Sequence, residues 1–173
     1  NKKLLDNFNY KMEDWKVAIR KYLLEENKMK RKVLVTGANG YVGRHVVKAL
    51  LDKGCEVIAS DFKFDGVDER AQRNTTPIFS DEENLYEKLG SPDVVVHLAW
   101  RNGFVHNADT HITDLPNHYN FIKKMVDAKL PQLVVMGTIH EVGYWEGAIN
   151  GDTPTNPTSM YGIAKNTLRE AAY

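Results

Sequence analysis

Val33-Leu34-Val35-Thr36-Gly37-Ala38-Asn39-Gly40-Tyr41-Val42-Gly43 is the stretch that decides the fold of this chain. It reads as a buried strand, a glycine turn and the first turn of a helix. The three glycines leave no Cβ where the backbone must bend tightly and a phosphate must come close. The helix opening at Tyr41 aims its free N–H groups and the positive end of its dipole at the turn. Such a helix start suits the pyrophosphate of a dinucleotide. The alternative is an ordinary tight turn; the strand before the glycines and the helix after them favour the dinucleotide.

Outward from this turn the chain alternates strand and helix. Strands are expected at Val33–Thr36, Glu56–Ser60, Pro77–Phe79, Val94–Ala99 and Leu133–Met136. Helices are expected at Tyr41–Lys53, Glu82–Leu89 and Leu115–Ala128, with another carrying Tyr161. The valine-rich, non-alternating strands imply burial on both faces, as in a parallel sheet. Repeated β-α-β units of this kind make an α/β, doubly wound, Rossmann-like sheet.

The chain has 173 residues, 42% of them hydrophobic, and 23 basic residues balance 23 acidic ones. This balance gives no reason to expect nucleic acid or a membrane as partner. Charge is uneven, with ten Lys or Arg against five Asp or Glu in residues 1–32. A solvated helix and linker explains that better than a nucleic-acid arm. Residues 1–28 differ in pattern from the rest of the chain. Met12, Trp15, Ile19, Tyr22 and Leu23 recur at helical spacing, which predicts an amphipathic helix over 11–26. An added arm, the tail of an upstream domain and a foreign segment all remain open for it. The expected division is therefore an N-terminal helical extension, 1–28, and a cofactor domain, 29–173. The single cysteine, Cys55, excludes an internal disulfide, and no apolar run reaches membrane-spanning length or forms a signal peptide. A reducing cytoplasm fits these features.

Two further features carry chemistry. Asp61 ends the second strand, 18 residues after Gly43. An acid there accepts hydrogen bonds from both adenosine ribose hydroxyls and repels a 2′-phosphate, which favours NAD over NADP. Lys63 nearby weakens that preference. Tyr161 and Lys165 stand four apart on one helix face. Tyrosine is a poor base at neutral pH. A neighbouring ammonium and a positively charged nicotinamide ring favour its phenolate. The phenol can then exchange a proton with a sugar hydroxyl while hydride moves to or from the nicotinamide.

In this order, the Thr-Gly-x-x-Gly-x-x-Gly turn, Asp61, His97-Leu98-Ala99, the Pro154-x-x-Pro157 loop and Tyr161-x-x-x-Lys165 resemble the extended short-chain dehydrogenase/reductase family. These are the NAD-dependent sugar-nucleotide epimerases and dehydratases, and the resemblance covers residues 31–173. It implies that Gly37, Gly40, Tyr41, Val42 and Gly43 line the pyrophosphate and that Asp61 and Phe62 border the adenosine. It places Leu98, Ala99 and Trp100 beside the nicotinamide half. Tyr161 becomes the acid/base, Lys165 also holds the nicotinamide ribose, and Thr138 hydrogen-bonds the reacting hydroxyl. The same resemblance implies a nucleotide-sugar substrate and a homodimer through residues 114–128 and 161–173.

The chain also departs from the family. Ile139-His140 replaces the Asp-Glu that comes after the threonine in dehydratases, which favours an epimerase. Asp114 stands where the family has an asparagine, Ile78-Phe79 where an aspartate touches the adenine, and Trp100 where a small residue is usual. His140 and Glu141 read equally as an added acid/base or as a solvated loop pair. His97 reads as a satisfied strand-end histidine. His106, His111 and His118 lie near a loop that could face substrate, and no carboxylate or cysteine framework makes them a metal site. Family members continue past the Tyr161 helix into a smaller domain that grips the nucleotide sugar. The expectation is thus a truncated domain that binds NAD and lacks half of the substrate cleft. Net nucleotide-sugar oxidoreduction and a non-catalytic NAD-binding regulatory module remain as alternatives.

Overall fold

In the computed structural model five parallel strands form one sheet in the order β3-β2-β1-β4-β5. The structure describes residues 30–172, so the helix expected over 11–26 lies outside the described residues. The strands are β1 (Lys32–Thr36), β2 (Glu56–Ser60), β3 (Gln72–Asn74), β4 (Val94–His97) and β5 (Gln132–Val135). The helices are α1 (Tyr41–Asp52), α2 (Leu85–Lys88), α3 (Thr110–Thr113), α4 (Leu115–Asp127) and α5 (Met160–Ala172), with a 3-10 turn at Ile139–Glu141.

Alternate residues of the central strands enter two separate cores. Val33 and Val35 of β1 join Val57, Ala59 and the α1 residue Val47 on one face. Leu34 joins Ile58, Val95, Phe121, Met125 and Leu168 on the other. This two-sided burial is what the valine-rich strands predict, and it holds for β1, β2 and β4. It does not extend to β5, where Val134 is 41% exposed and only Leu133 and Val135 pack inward.

Three expected elements are corrected. The third strand lies at Gln72–Asn74, not Pro77–Phe79, and pairs in register with Ile58–Ser60. β3 is an edge strand with one hydrogen-bonded neighbour and exposed or half-buried residues, so it needs no apolar pattern. The helix expected over Glu82–Leu89 is a single turn, Leu85–Lys88. Lys124 Nζ takes the carbonyls of Ser80 and Glu82, at 2.6 and 3.2 Å, and holds that entry segment outside the helix. β4 stops at His97: the Leu98 N–H is shared between the Thr36 carbonyl, at 3.3 Å, and the Thr36 hydroxyl, at 3.2 Å, and the Ala99 N–H goes to the hydroxyl, also at 3.2 Å.

β1 is paired with β2 on one side and β4 on the other. The chain leaves these strands in opposite directions, which opens a crevice at their C-terminal ends where open α/β sheets bind ligands.

Candidate active site

The glycine turn closes that crevice at its floor. Gly37 has φ +66°, and a Cβ on it would sit 2.8 Å from the Ala99 backbone. A Cβ on Gly43 would lie 2.1 Å from the Gly37 carbonyl oxygen. Strand, turn and helix therefore touch backbone to backbone. Gly40 caps α1 without a side-chain hydrogen bond, and no acidic residue occupies the first turn. The N–H groups of Tyr41, Val42 and Gly43 remain available to an anion. The Tyr41 side chain does not enter this crevice: its ring packs edge-on against His45, in a separate groove with Arg44 and Lys48.

Above the turn lies a cleft of about 540 Å³. It gathers Gly37, Gly40, Asp61, Phe62, Leu98, Ala99 and Trp100 from the expected set, and adds Ile78, Phe79, Asp114 and His118. Asp61 accepts the Asn39 N–H at 2.9 Å and the Phe62 N–H at 2.8 Å. A carboxylate offers about four acceptor positions. One ties the glycine turn to the end of β2, one is spent on the adjacent Phe62 N–H, and two remain for the cleft. Phe62 is 79% exposed over it. Asp114 is taken by a bidentate pair with Arg101, at 2.5 and 2.8 Å. The turn and Asp61 fit a dinucleotide: the backbone approach is open to phosphate and the acid stands one strand away.

The start of α5 is fixed by the loops around it. Tyr161 N–H donates to the His106 carbonyl at 2.8 Å, and Met160 N–H to Asn107 Oδ1 at 3.2 Å. A Cβ on Gly162 would meet the His140 carbonyl oxygen at 2.3 Å, so glycine is what lets helix and 3-10 turn meet. The Tyr161 ring lies among His111, His140, His106 and Trp100, with centroids 5.2, 5.6, 6.0 and 6.1 Å away. One helical turn on, Lys165 is buried, and its Nζ donates to the Met136 carbonyl at 2.8 Å. Burial pushes its ammonium down to about 8, against the opposing pull of Glu141.

Thr138 caps the 3-10 turn. Its hydroxyl accepts from His140 N–H at a long 3.4 Å, and its own N–H donates to Glu141 Oε1 at 2.7 Å. The Thr138 O–H proton is left free. Glu141 is not a solvated loop residue: it is 5% exposed, closes this capping box and approaches Arg169 at 3.5 Å. Its partner in the expected pair, His140, does stand beside Tyr161.

The histidines form a network that sequence reasoning missed. Thr36 Oγ1 lies 2.8 Å from His97 Nδ1, and His97 Nε2 lies 2.9 Å from His118 Nδ1. His118 stacks on Trp100 with centroids 4.3 Å apart, and Trp100 Nε1–H donates to His111 Nδ1 at 3.0 Å. His111 Nε2–H then donates to the Val105 carbonyl at 2.9 Å. Burial holds His97 well below the usual imidazole range and pushes His118 down to about 4, with Lys165 adding to both shifts. Of the three loop histidines expected near substrate, His111 and His118 are thus interior, and only His106 is exposed. His97 is the satisfied strand-end residue expected. Among the described residues no group of three His, Cys, Asp or Glu gathers as for a metal ion.

Residues 33–173 match the NAD dependent epimerase/dehydratase family. The chain belongs to that family. Its fold and its cofactor are those of an NAD-dependent, Rossmann-type member. It is 40% identical over 147 residues to the dTDP-6-deoxy-L-talose 4-dehydrogenase (NAD(+)) of Aggregatibacter actinomycetemcomitans. That match covers 82% of this chain and 54% of the relative, so the chain spans about half the relative's length. Among solved structures, the UDP-glucose 4-epimerase of Thermotoga maritima superposes with a TM-score of 0.67 at 24% identity. It covers 80% of this chain and 49% of that one. The Bordetella bronchiseptica enzyme WbmG, solved with NAD, superposes at 0.66 with 21% identity, over 84% of this chain and 50% of that one. Both likenesses speak for the fold. Among the described residues no helix is long and apolar enough to cross a membrane.

Proposed function

We propose that residues 29–173 are the cofactor-binding part of an enzyme that oxidises a ring hydroxyl of a nucleotide-linked hexose. The observation that carries this is the placement of Tyr161 and Lys165 on one helix, with Trp100 reaching from the dinucleotide cleft to both. NAD, when bound, supplies a hydride acceptor. The Gly37–Gly43 turn and the α1 N-terminus would hold its pyrophosphate, and Asp61 its adenosine ribose. Tyr161 would take the hydroxyl proton of the sugar, the positive charge of Lys165 would favour the phenolate, and Thr138 would donate to the reacting oxygen. The lone Cys55 fits a reducing cytoplasm. The outward Tyr119, Val126 and Ile163 of α4 and α5 would suit pairing with a second copy.

Two outcomes share this first step. If the hydride returns within the cycle, the enzyme is an epimerase or a dehydratase, and Ile139-His140 after Thr138 favours the epimerase. If NADH leaves, it is a dehydrogenase, which the 40% likeness to a 4-dehydrogenase favours. The test uses the full-length protein, NAD and a panel of nucleotide sugars. NADH accumulating in proportion to product supports net oxidation. An altered sugar with no net NADH supports the epimerase or dehydratase. No change in any sugar would leave the regulatory NAD-binding module as the better reading.

A further inference from the structure

Lys165 is 5% exposed, yet among the described residues it makes no salt bridge. Besides the Met136 carbonyl, its ammonium meets an indole: it lies 4.2 Å from the centroid of the Trp100 ring. The two faces of that ring are used differently. His118 stacks on one face, 4.3 Å away and 16° from parallel. Rings this close leave no room between them for an ammonium, so Lys165 occupies the opposite face. The indole cannot swing away, because its N–H is held by His111 Nδ1 at 3.0 Å.

The protonation states around the indole agree with this use. Thr36 Oγ1 accepts from Leu98 and Ala99, so its proton goes to His97 Nδ1, and His97 donates onward to His118 Nδ1. His118 is thereby kept neutral. A neutral ring on one face does not compete for the electron-rich π system, and the attraction falls to the single cation on the other.

We propose that Trp100, clamped between His111 and His118, is a positioning residue that holds the Lys165 ammonium on its open π face, where a carboxylate partner would otherwise be needed. This rests on reading Tyr161 and Lys165 as the acid/base pair. It gives Trp100 a role beyond narrowing the cleft. The groups that face Lys165 are Tyr161 on its own helix, His97 from β4, His118 from α4 and Glu141 from the 3-10 turn. Glu141 is shared with Arg169, which leaves the indole as the close compensation for the buried charge.

The test is the titration of Lys165 in the full chain without cofactor, read by NMR of ¹³Cε-labelled lysine. The resonance is assigned by its loss in Lys165→Met. In Trp100→Leu, which keeps the site apolar and dry, the midpoint should fall by about one pH unit. The upfield ring-current displacement of the lysine signal should vanish with it. Trp100→Phe, with a weaker π face, should give a smaller fall in the same direction. A midpoint that stays or rises in both variants overturns the proposal, since a merely structural tryptophan would leave it there. If Trp100→Leu does not fold, Trp100→Phe decides by the same sign. The acid/base reading fails separately, if Lys165→Met leaves turnover of the full-length enzyme intact.

Discussion

Thr36 Oγ1 and His97 Nδ1 lie 2.8 Å apart on adjacent strands, and this contact sets the proton positions of the interior. The hydroxyl already accepts two backbone N–H groups where β4 curls over β1. Replacing Thr36 by the isosteric Val leaves the Ala99 N–H and His97 Nδ1 unpaired, while the Leu98 N–H keeps the Thr36 carbonyl at 3.3 Å. A buried polar group without a partner costs roughly 1–3 kcal/mol. Thr36→Val should lower the unfolding free energy by about 2–4 kcal/mol in urea titration. A loss near zero would mean that ordered water replaces the hydroxyl.

The same relay predicts an acid-side loss of stability. His118 is pushed down to about 4 when folded, below the ordinary imidazole value near 6.5 that it regains when unfolded. The unfolded chain therefore binds more protons between these values. The stabilisation is fully present above pH ~6.5 and is lost as pH falls toward about 4. For His118 alone the drop between pH 7.5 and 5 is on the order of 2 kcal/mol. Urea unfolding at the two pH values measures it. His118→Asn, which keeps an acceptor for His97, should flatten the slope, and an unchanged slope would assign it elsewhere.

The glycine spacing, the acid after β2 and the Tyr161/Lys165 pair were legible because each is local in sequence and has a steric or electrostatic cause. The third strand was not, because Gln72-Arg73-Asn74 has no apolar pattern and pairs only as an edge. The histidine relay was not legible either. Thr36, His97, His111 and His118 come from separate elements, and nothing in their spacing tells an interior histidine from a loop histidine. Glu141 was ambiguous for a different reason. The Thr138-x-x-Glu141 spacing is a capping-box signature, but chemistry beside Tyr161 competed for the same residue.

The close approach at Gly43 gives a sharper expectation than the motif alone. Its Cβ would meet the Gly37 oxygen at 2.1 Å and the Ala38 backbone at 2.9 Å, with no flexible side chain to yield. Gly43→Ala must push α1 away from the turn. It should destabilise the domain by roughly 1–3 kcal/mol, as overpacking does. It should also weaken NAD binding at least tenfold, as read by calorimetry, because the α1 N–H groups lose their aim. Gly54→Ala serves as control: nothing lies within 4 Å of its Cβ, so only its left-handed backbone is penalised and NAD affinity should hold.

Tyr161 supplies the last test, because its backbone and its ring do different work. The backbone N–H fixes the His106 loop to α5, and the ring sits among His111, His140 and Trp100. Tyr161→Phe keeps both and removes only the hydroxyl, so the packing and the cofactor cleft should survive. Loss of a general acid/base costs about 10²–10⁴-fold in rate. The full-length variant should therefore lose kcat by that factor while its NAD affinity changes less than twofold. His140→Asn should cost less than Tyr161→Phe, since its imidazole flanks the phenol without replacing it. A variant of Tyr161 that turned over at the normal rate would move the acid/base role to His140 or His106, since both nitrogens of His111, the third imidazole beside the ring, are engaged by Trp100 and the Val105 carbonyl.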